Sequence, residues 1–376
     1  MRGLEVQAEC GSRSADVAVG RPELVQRFDA SPEQAAAWNA LGSRSGSPMQ
    51  SYSWALACVE TLIQPDDLQV VAVGDPTRPT AIAPLVRRRR GMPRLELLGV
   101  DEIHEPMDFL YADPAALEQL AECLIHMGLP LFLKRIPARS PAVAALRKAY
   151  RGHGLVICRP VAGCPYIPLT GDWTRPEERL TARRRGDLQR ARRLAEQIGR
   201  TSFAVRTPTP FELAPLLEEA FRVEAAGWRG RQGTAIRCDP VRGPFYRRYA
   251  SLACQEGILR ICFLRIGGQV AAMQLGVECA GRFWLLKIGY DEAFARCSPG
   301  TLLLVETVRW AAERGLLSYE LLGSTEPWTR PWTAHAHECL LLAAYPTGWQ
   351  GMVALTYDIW SSAARRVARV ARGRRE

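Results

Sequence analysis

The residues best equipped for chemistry lie between 287 and 304, in KIGYDEAFARCSPGTLLL. Lys287 and Tyr290 close a strand-like run, and Ser298-Pro299-Gly300 opens an apolar run with helical spacing. Ser298 suits a helix N-cap and Pro299 the first helical position. Gly300 has no Cβ, so a ligand can approach its backbone closely. The first N–H groups of such a helix lack internal partners and stand at the positive end of its dipole, which suits a pyrophosphate. The same three residues also describe an ordinary capped helix. Lys287 is one of only three lysines, with Lys134 and Lys148, among 49 cationic residues. An ammonium shifts its pKa more readily than a guanidinium. Lys287 therefore either holds an acidic group or phosphate, or stands on the solvent face of its strand.

The elements that must position these residues follow from periodicity. In the second half, SFAVRT (202–207) reads as a strand, PFELAPLLEEAFRVEAAGW (210–228) and PFYRRYASLACQEG (244–257) as helices. ILRICFLRIG and QVAAMQLGVE form a hairpin across Gly267-Gly268, and GRFWLLKIGY (281–290) is a third strand. SPGTLLLVETVRWAAERG (298–315) is a helix; LLSYELLG and CLLLAAY return as strands, with a short helix expected between them. The first half repeats the order: PELVQRF, helices SPEQAAAWNALG and SYSWALACVETLI, a hairpin of LQVVAVG and TAIAPLVRR, then RLELLG, the helix DPAALEQLAECLIHMG, and LPLFLKRI. A further helix, SPAVAALRKAY, and the strand GLVICRP complete it. Agreement over about ten elements points to duplication of a whole domain rather than chance likeness. We expect a first unit at 1–172, a charged linker helix at 173–200, a second unit at 201–350, and a basic C-terminal helix or tail at 351–376. The helix equivalent to the SPG corner begins with Asp113, which repels phosphate, so only the second unit is expected to bind a cofactor.

Composition narrows the class. With 47% hydrophobic residues over 376, the chain can bury real cores. No run of about 18 uncharged apolar residues occurs, and MRGLEVQAECGSRSADVAV lacks the apolar block of a signal peptide, so a cytoplasmic protein is expected. Eleven scattered cysteines contain no Cys-x-x-Cys, and the five histidines join them at no zinc spacing, so no metal site is expected. The net charge of +10 suits anionic partners. The arginine-rich 183–200 carries no aromatic residue, which argues against nucleic acid. It is either a solvated linker helix or a basic wall over a cleft between the two units. The end of the chain, ALTYDIWSSAARRVARVARGRRE, has helical spacing with arginines gathered at its close. It reads either as a packed final helix with a charged end or as a peripheral contact with the inner membrane.

The strings GWRGRQGTAI (227–236), FYRRYA (245–250), LRICFLRIGGQVAAMQL (259–275) and KIGYDEAFARCSPGTLLL resemble the CelD-like, or BioF2-like, acetyltransferases of the GNAT superfamily. The resemblance runs from about 47 to 333 and is strongest between 220 and 332. It is also similar, more distantly, to the tandem fold of Fem-type aminoacyltransferases. It implies an α/β (α+β) fold of tandem duplicated GNAT-like domains, each a mixed, mostly antiparallel sheet flanked by helices. It further implies acetyl-CoA or another acyl-CoA as donor, an amine or hydroxyl acceptor that is a small molecule or saccharide, and a setting in exopolysaccharide or cellulose biosynthesis. The superfamily's phosphate loop is degenerate here, reading RCSPGT at 296–301.

On that resemblance the donor would contact Ile288, Gly289, Arg296, Ser298, Pro299, Gly300 and Thr301. The oxyanion would meet a backbone N–H of the Lys287–Tyr290 segment, with Gly289 permitting a bulge. Tyr290 would protonate the thiolate, or else caps the sheet as a half-buried tyrosine. Glu326 is the candidate base, or a helix cap, and Lys287 completes the candidate catalytic set. Trp228, Arg229, Asp291 and Trp332 would face the acceptor, with Asp291 alternatively a loop cap. The competing readings are a Fem-type aminoacyltransferase and a non-catalytic scaffold.

Overall fold

The computed structural model of the chain describes residues 23–25 and 31–372, apart from 76, 90, 228–232 and 234. Two runs of the same plan build one continuous sheet. In the first, β1 (Glu23–Val25), β2 (Leu68–Asp75), β3 (Arg78–Arg88) and β4 (Arg94–Leu97) pair antiparallel in that order. The short β5 (Leu110–Tyr111) adds to β3, and β6 (Leu131–Pro137) lies parallel to β4. Helices α1 (Pro32–Gly42), α2 (Tyr52–Leu62), α3 (Val100–Ile103), α4 (Pro114–His126) and α5 (Pro141–Ala149) accompany these strands. Strand β7 (Gly154–Pro168) follows.

The second run begins with α6 (Ala182–Ile198), β8 (Thr201–Arg206), α7 (Pro210–Ala225) and α8 (Arg242–Gln255). Strands β9 (Leu259–Ile266), β10 (Gln269–Cys279) and β11 (Arg282–Tyr290) form an antiparallel meander. Helix α9 (Pro299–Glu313) then crosses to β12 (Ser318–Glu320), parallel to β11. In both runs, a helix joins the third meander strand to a parallel neighbour. The fold is thus the expected mixed α/β arrangement, a sheet flanked by helices. The short helix expected between β12 and the last strand is a series of turns instead.

The runs are interlocked at their ends. Strand β13 (Ala336–Pro346), which closes the second run, inserts between β6 and β7 of the first. The far end of β7, Tyr166–Pro168, pairs with β12. The sheet order is therefore β1-β2-β3-β4-β6-β13-β7-β12-β11-β10-β9-β8. The 15-residue β7 can serve both neighbours because its two ends reach different strands. A last helix, α10 (Trp349–Arg372), lies against β13.

Helix α6 does not bridge the runs in solvent. Its Leu188, Ala191 and Ala195 are buried in the same core as Leu302, Leu303 and Val305 of α9. Arg192 bonds Glu177 at 2.6 Å and Glu306 at 3.2 Å, and Arg309 of α9 bonds Glu177 at 2.5 Å. This half-buried network ties the arginine-rich helix to the middle of α9.

Candidate active site

Strand β11 keeps its β12 partner only at Arg282–Trp284. Leu322 and Gly323 then turn with φ of 56° and 57°, and the strands part. Beyond the fork, β11 pairs only with β10, from Ala272↔Tyr290 to Leu275↔Lys287. The next pair is Gly276↔Leu285, so the bulge falls at Leu286 and not at Gly289. Gly289 faces Met273 in regular register. Its missing Cβ is needed for another reason: one built there would stand 2.6 Å from Cα and 2.8 Å from Cβ of Glu224 on α7. A helix backbone presses on this strand.

The amide of Asp291 bonds Ala271 O at 2.9 Å, on the β10 side. Strand alternation therefore turns the backbone N–H groups of Ile288 and Tyr290 to the opposite side, into the fork. These are the donors that an oxyanion would need.

The fork opens into a cavity of ≈ 370 Å³. Its walls bring together Ile288, Gly289 and Tyr290 with Ser298, Pro299, Gly300 and Thr301. Glu326 and Trp332, from the turns after β12, also line it. These nine residues were expected from sequence. Among those not expected are Glu224 and Gly227 at the end of α7, Met273 and Gln274 of β10, and Trp328. Gln274 is buried, and its Oε1 accepts a 2.9 Å bond from the Tyr319 hydroxyl. That hydroxyl also meets Thr307 Oγ1 of α9 at 3.1 Å, so a polar chain stiffens the floor. The carboxylate of Glu224 is buried and accepts the Ile236 N–H at 2.9 Å. Glu326 is exposed, and Trp328 Nε1 donates to it at 2.9 Å.

The mouth of α9 differs from expectation in one respect. Ser298 occupies the N-cap position, but its φ of 46° and ψ of 52° are left-handed and its side chain makes no capping bond. Its carbonyl accepts the Thr301 and Leu302 amides instead. A non-glycine residue there costs on the order of 1–3 kcal/mol, a strain that gathers at ligand sites. Without a capping oxygen, the first-turn amide of Gly300 stays available to the cavity. By contrast Asp113 caps α4 with a 2.8 Å bond from Ala116 N, closing the equivalent corner of the first run with a carboxylate.

A second cavity, of ≈ 340 Å³, adjoins the first and shares Ser298, Thr301, Trp328 and Trp332 with it. Arg184 and Arg190 of α6 and Arg296 line it, with Asp187 as its acidic member. The basic face of α6 thus flanks the mouth of α9 within the second run, rather than a cleft between the two units as the sequence suggested.

Other expected residues stand elsewhere. Lys287 does not line either cavity; its ammonium lies 4.7 Å from the ring centre of Tyr246, on the opposite strand face from Ile288 and Tyr290. Asp291 caps the 3₁₀ turn Glu292–Cys297 by accepting the Ala293 amide at 2.9 Å, its alternative role as a loop cap. Trp228 and Arg229 lie outside the described residues. Among the described residues, no cluster of three or more His, Cys, Asp or Glu side chains could hold a metal ion.

A third cavity, of ≈ 490 Å³, lies between the runs at the start of β11. Eight residues of strand separate Arg282 from Tyr290, about 26 Å at ~3.3 Å each. It contains the buried Glu320, held by Ser318 Oγ at 2.5 Å and His337 Nε2 at 2.9 Å. No spacing in the sequence foretells this pair, because β13 and β12 meet only through β7. Asp108, also at this cavity, is pushed up to about 7 by burial, against the Ser140 hydroxyl and Phe109 N–H. Nearby Glu105 is likewise pushed up to about 7 by burial, opposed by Arg135, the Gly323 N–H and Lys287.

The forked strand, the uncapped helix mouth and the cavity between them stand together in the second run of the fold. Residues 182–330 match the family described as an acetyltransferase (GNAT) domain. Among solved structures, a conserved Bacteroides thetaiotaomicron protein of unknown function is similar at 13% identity, covering 84% of this chain and 98% of its own, with a TM-score of 0.56. The C-terminal domain of an Agrobacterium fabrum protein named as a lysylphosphatidylglycerol synthetase is similar at 13% identity, covering 86% and 95%, with a TM-score of 0.53. FemX is similar at 12% identity, covering 85% and 96%, also at 0.53. At these identities the likeness is one of fold. No curated relative matches the chain.

Proposed function

We propose that the chain is an acyl-CoA-dependent N- or O-acyltransferase whose second run carries the donor and whose first run shapes the acceptor cleft. One observation carries this reading: a forked strand and an uncapped, glycine-bearing helix start line one cavity, next to a second lined by three arginines. The pyrophosphate would rest on the α9 mouth, at Ser298–Thr301. Arg184, Arg190 and Arg296 would meet the nucleotide end of the donor. The thioester arm would run along Ile288–Tyr290, with its carbonyl oxygen on the fork amides.

The acceptor amine or hydroxyl attacks the thioester carbonyl, forming the C–N or C–O bond as the C–S bond breaks. Tyr290, which lines the cavity, supplies the proton that the leaving thiolate takes up. The acceptor's proton passes to a carboxylate, for which Glu224 joins Glu326 as a candidate. Lys287, turned away from the cavity, would act on the field around Glu105 rather than on the reacting atoms. Asp291, Trp332 and the 228–229 segment remain candidates for the acceptor side. A saccharide acceptor, and a cytoplasmic role in exopolysaccharide assembly, rest on the likeness of the 220–332 strings.

Isothermal titration of acetyl-CoA into wild type and Gly300→Trp tests the reading. A Cβ at Gly300 meets only Tyr290 Cδ1, at 3.7 Å, so the backbone tolerates a side chain while an indole fills the mouth. The expected result is micromolar binding by wild type and its loss in the variant. No binding by wild type at physiological acetyl-CoA would leave the scaffold or aminoacyl-transfer readings in its place.

A further inference from the structure

The last helix carries the strongest unassigned surface. Its inner face is firmly seated. Ala354 is buried with Ala343 and Tyr345 of β13, and Leu355 packs on the same cluster. Tyr345 Oη donates to Asp358 Oδ2 at 2.8 Å. A Cβ at Gly351 would stand 1.9 Å from Pro346 O, so only glycine allows the helix to approach this closely. These contacts fix which side of α10 points outward.

The outward side is apolar. Trp349 and Trp360 are each 76% exposed, Ile359 62% and Met352 61%. Val353 and Tyr357 are exposed too. At 100° per residue, Trp349, Met352, Val353, Ile359 and Trp360 share one stripe. In the sequence, Val367 and Val370 continue that spacing, and Arg365, Arg366, Arg369 and Arg372 fall outside it. A soluble surface scatters its exposed apolar residues singly, whereas this stripe aligns them on one rigid helix.

We propose that α10 is an interfacial membrane anchor, laying its tryptophan stripe into the headgroup boundary of an anionic bilayer. The helix has 24 residues, about 36 Å at ~1.5 Å each, lying along the surface. It is not a span: no helix among the described residues is long and apolar enough to cross a membrane. Two tryptophans match the interface, where an indole has both apolar contact and a wet N–H. The sequence that ends the helix is rich in arginine, on a chain of net charge +10, a composition that suits anionic phosphates and that a neutral protein groove would not require. The anchor begins directly after β13, the strand that ties both runs together, so docking would orient the whole sheet.

Co-sedimentation of the full chain with phosphatidylcholine vesicles, with and without phosphatidylglycerol, tests this independently of catalysis. Wild type should bind the anionic vesicles, with a blue shift in tryptophan emission, and release at high salt. Trp349→Ser/Trp360→Ser should lower binding at least about ten-fold, since two large apolar contacts are removed. Arg365→Gln/Arg366→Gln should weaken it by about five-fold per arginine on anionic vesicles only. Both variants alter outward or terminal positions, and unchanged circular dichroism and thermal melting would verify the fold. The proposal is overturned if wild type ignores anionic vesicles, or if the tryptophan variant binds as wild type does. It is also overturned if wild type instead self-associates in sedimentation velocity and the tryptophan variant does not; the stripe would then join two copies.

Discussion

Replacing Gly289 by alanine puts the geometry of the fork to a sharp test. Its added Cβ would meet Glu224 at 2.6 Å from Cα, 2.8 Å from Cβ and 3.0 Å from Cγ. Ordinary carbon contacts begin at about 3.5 Å, and two of these three atoms cannot move by a rotamer change. Either α7 withdraws by about 1 Å or β11 bows out of register with β10. Overpacking of this kind costs about 1–3 kcal/mol, which denaturant unfolding should register as a lower midpoint at unchanged slope. The same shift moves Glu224 and Gly227, two walls of the cavity, so acetyl-CoA affinity in calorimetry should fall about ten-fold, or ~1.4 kcal/mol. Gly300→Ala is the matched control, because its Cβ makes only an ordinary 3.7 Å contact. It should leave stability within about 0.5 kcal/mol of wild type, as benign substitutions do. If Gly289→Ala is as stable as Gly300→Ala and binds acetyl-CoA as tightly as wild type, the close approach of α7 to β11 does not shape the site.

Three further tests address other parts of the molecule. Tyr290→Phe should bind acetyl-CoA within about two-fold of wild type yet release CoA thiol to an amine or sugar acceptor about 10²-fold more slowly, as loss of a general acid requires; equal turnover would remove Tyr290 from the chemistry. Arg184→Gln/Arg190→Gln should weaken CoA binding about ten-fold at low salt and abolish any preference for CoA over dephospho-CoA, measured by competition titration. Glu105 is held near 7 in the folded chain against an ordinary 4.5, so its protonated form stabilises the fold fully below pH 4.5, and that contribution is lost as pH rises to about 7. Relative to Glu105→Gln, wild type should lose about 3 kcal/mol across that window in urea unfolding, and a flat difference would refute the burial argument.

The sequence alone determined the repeated order of elements, the hairpin at Gly267-Gly268, the helix after Ser298-Pro299-Gly300 and the closed corner at Asp113. Each depends on local properties, periodicity or the conformational preferences of proline and glycine, which a short window of chain records. Seven of the nine cavity residues expected from sequence, between Ile288 and Thr301, lie around that corner for this reason, while Glu326 and Trp332 reach it from the turns after β12. What a window cannot record is which surfaces meet. Gly289 reads as a ligand or bulge glycine, but a helix distant in sequence makes it obligatory. Ser298 reads as a cap, but the 3₁₀ turn before it imposes a left-handed backbone that withholds its hydroxyl. Glu224 carries no motif, and only the packing of α7 on β11 brings it to the cavity. Lys287 looked chemical by rarity, yet alternation along β11 sends it to the face opposite Tyr290. The largest decision was topological. Strand β13 and the end of β7 pair across the two runs because interstrand hydrogen bonds are satisfied by whichever edge is adjacent, regardless of distance along the chain. That exchange, invisible in any local pattern, unites the sheet, creates the Glu320–His337 pair and fixes the outward face of α10.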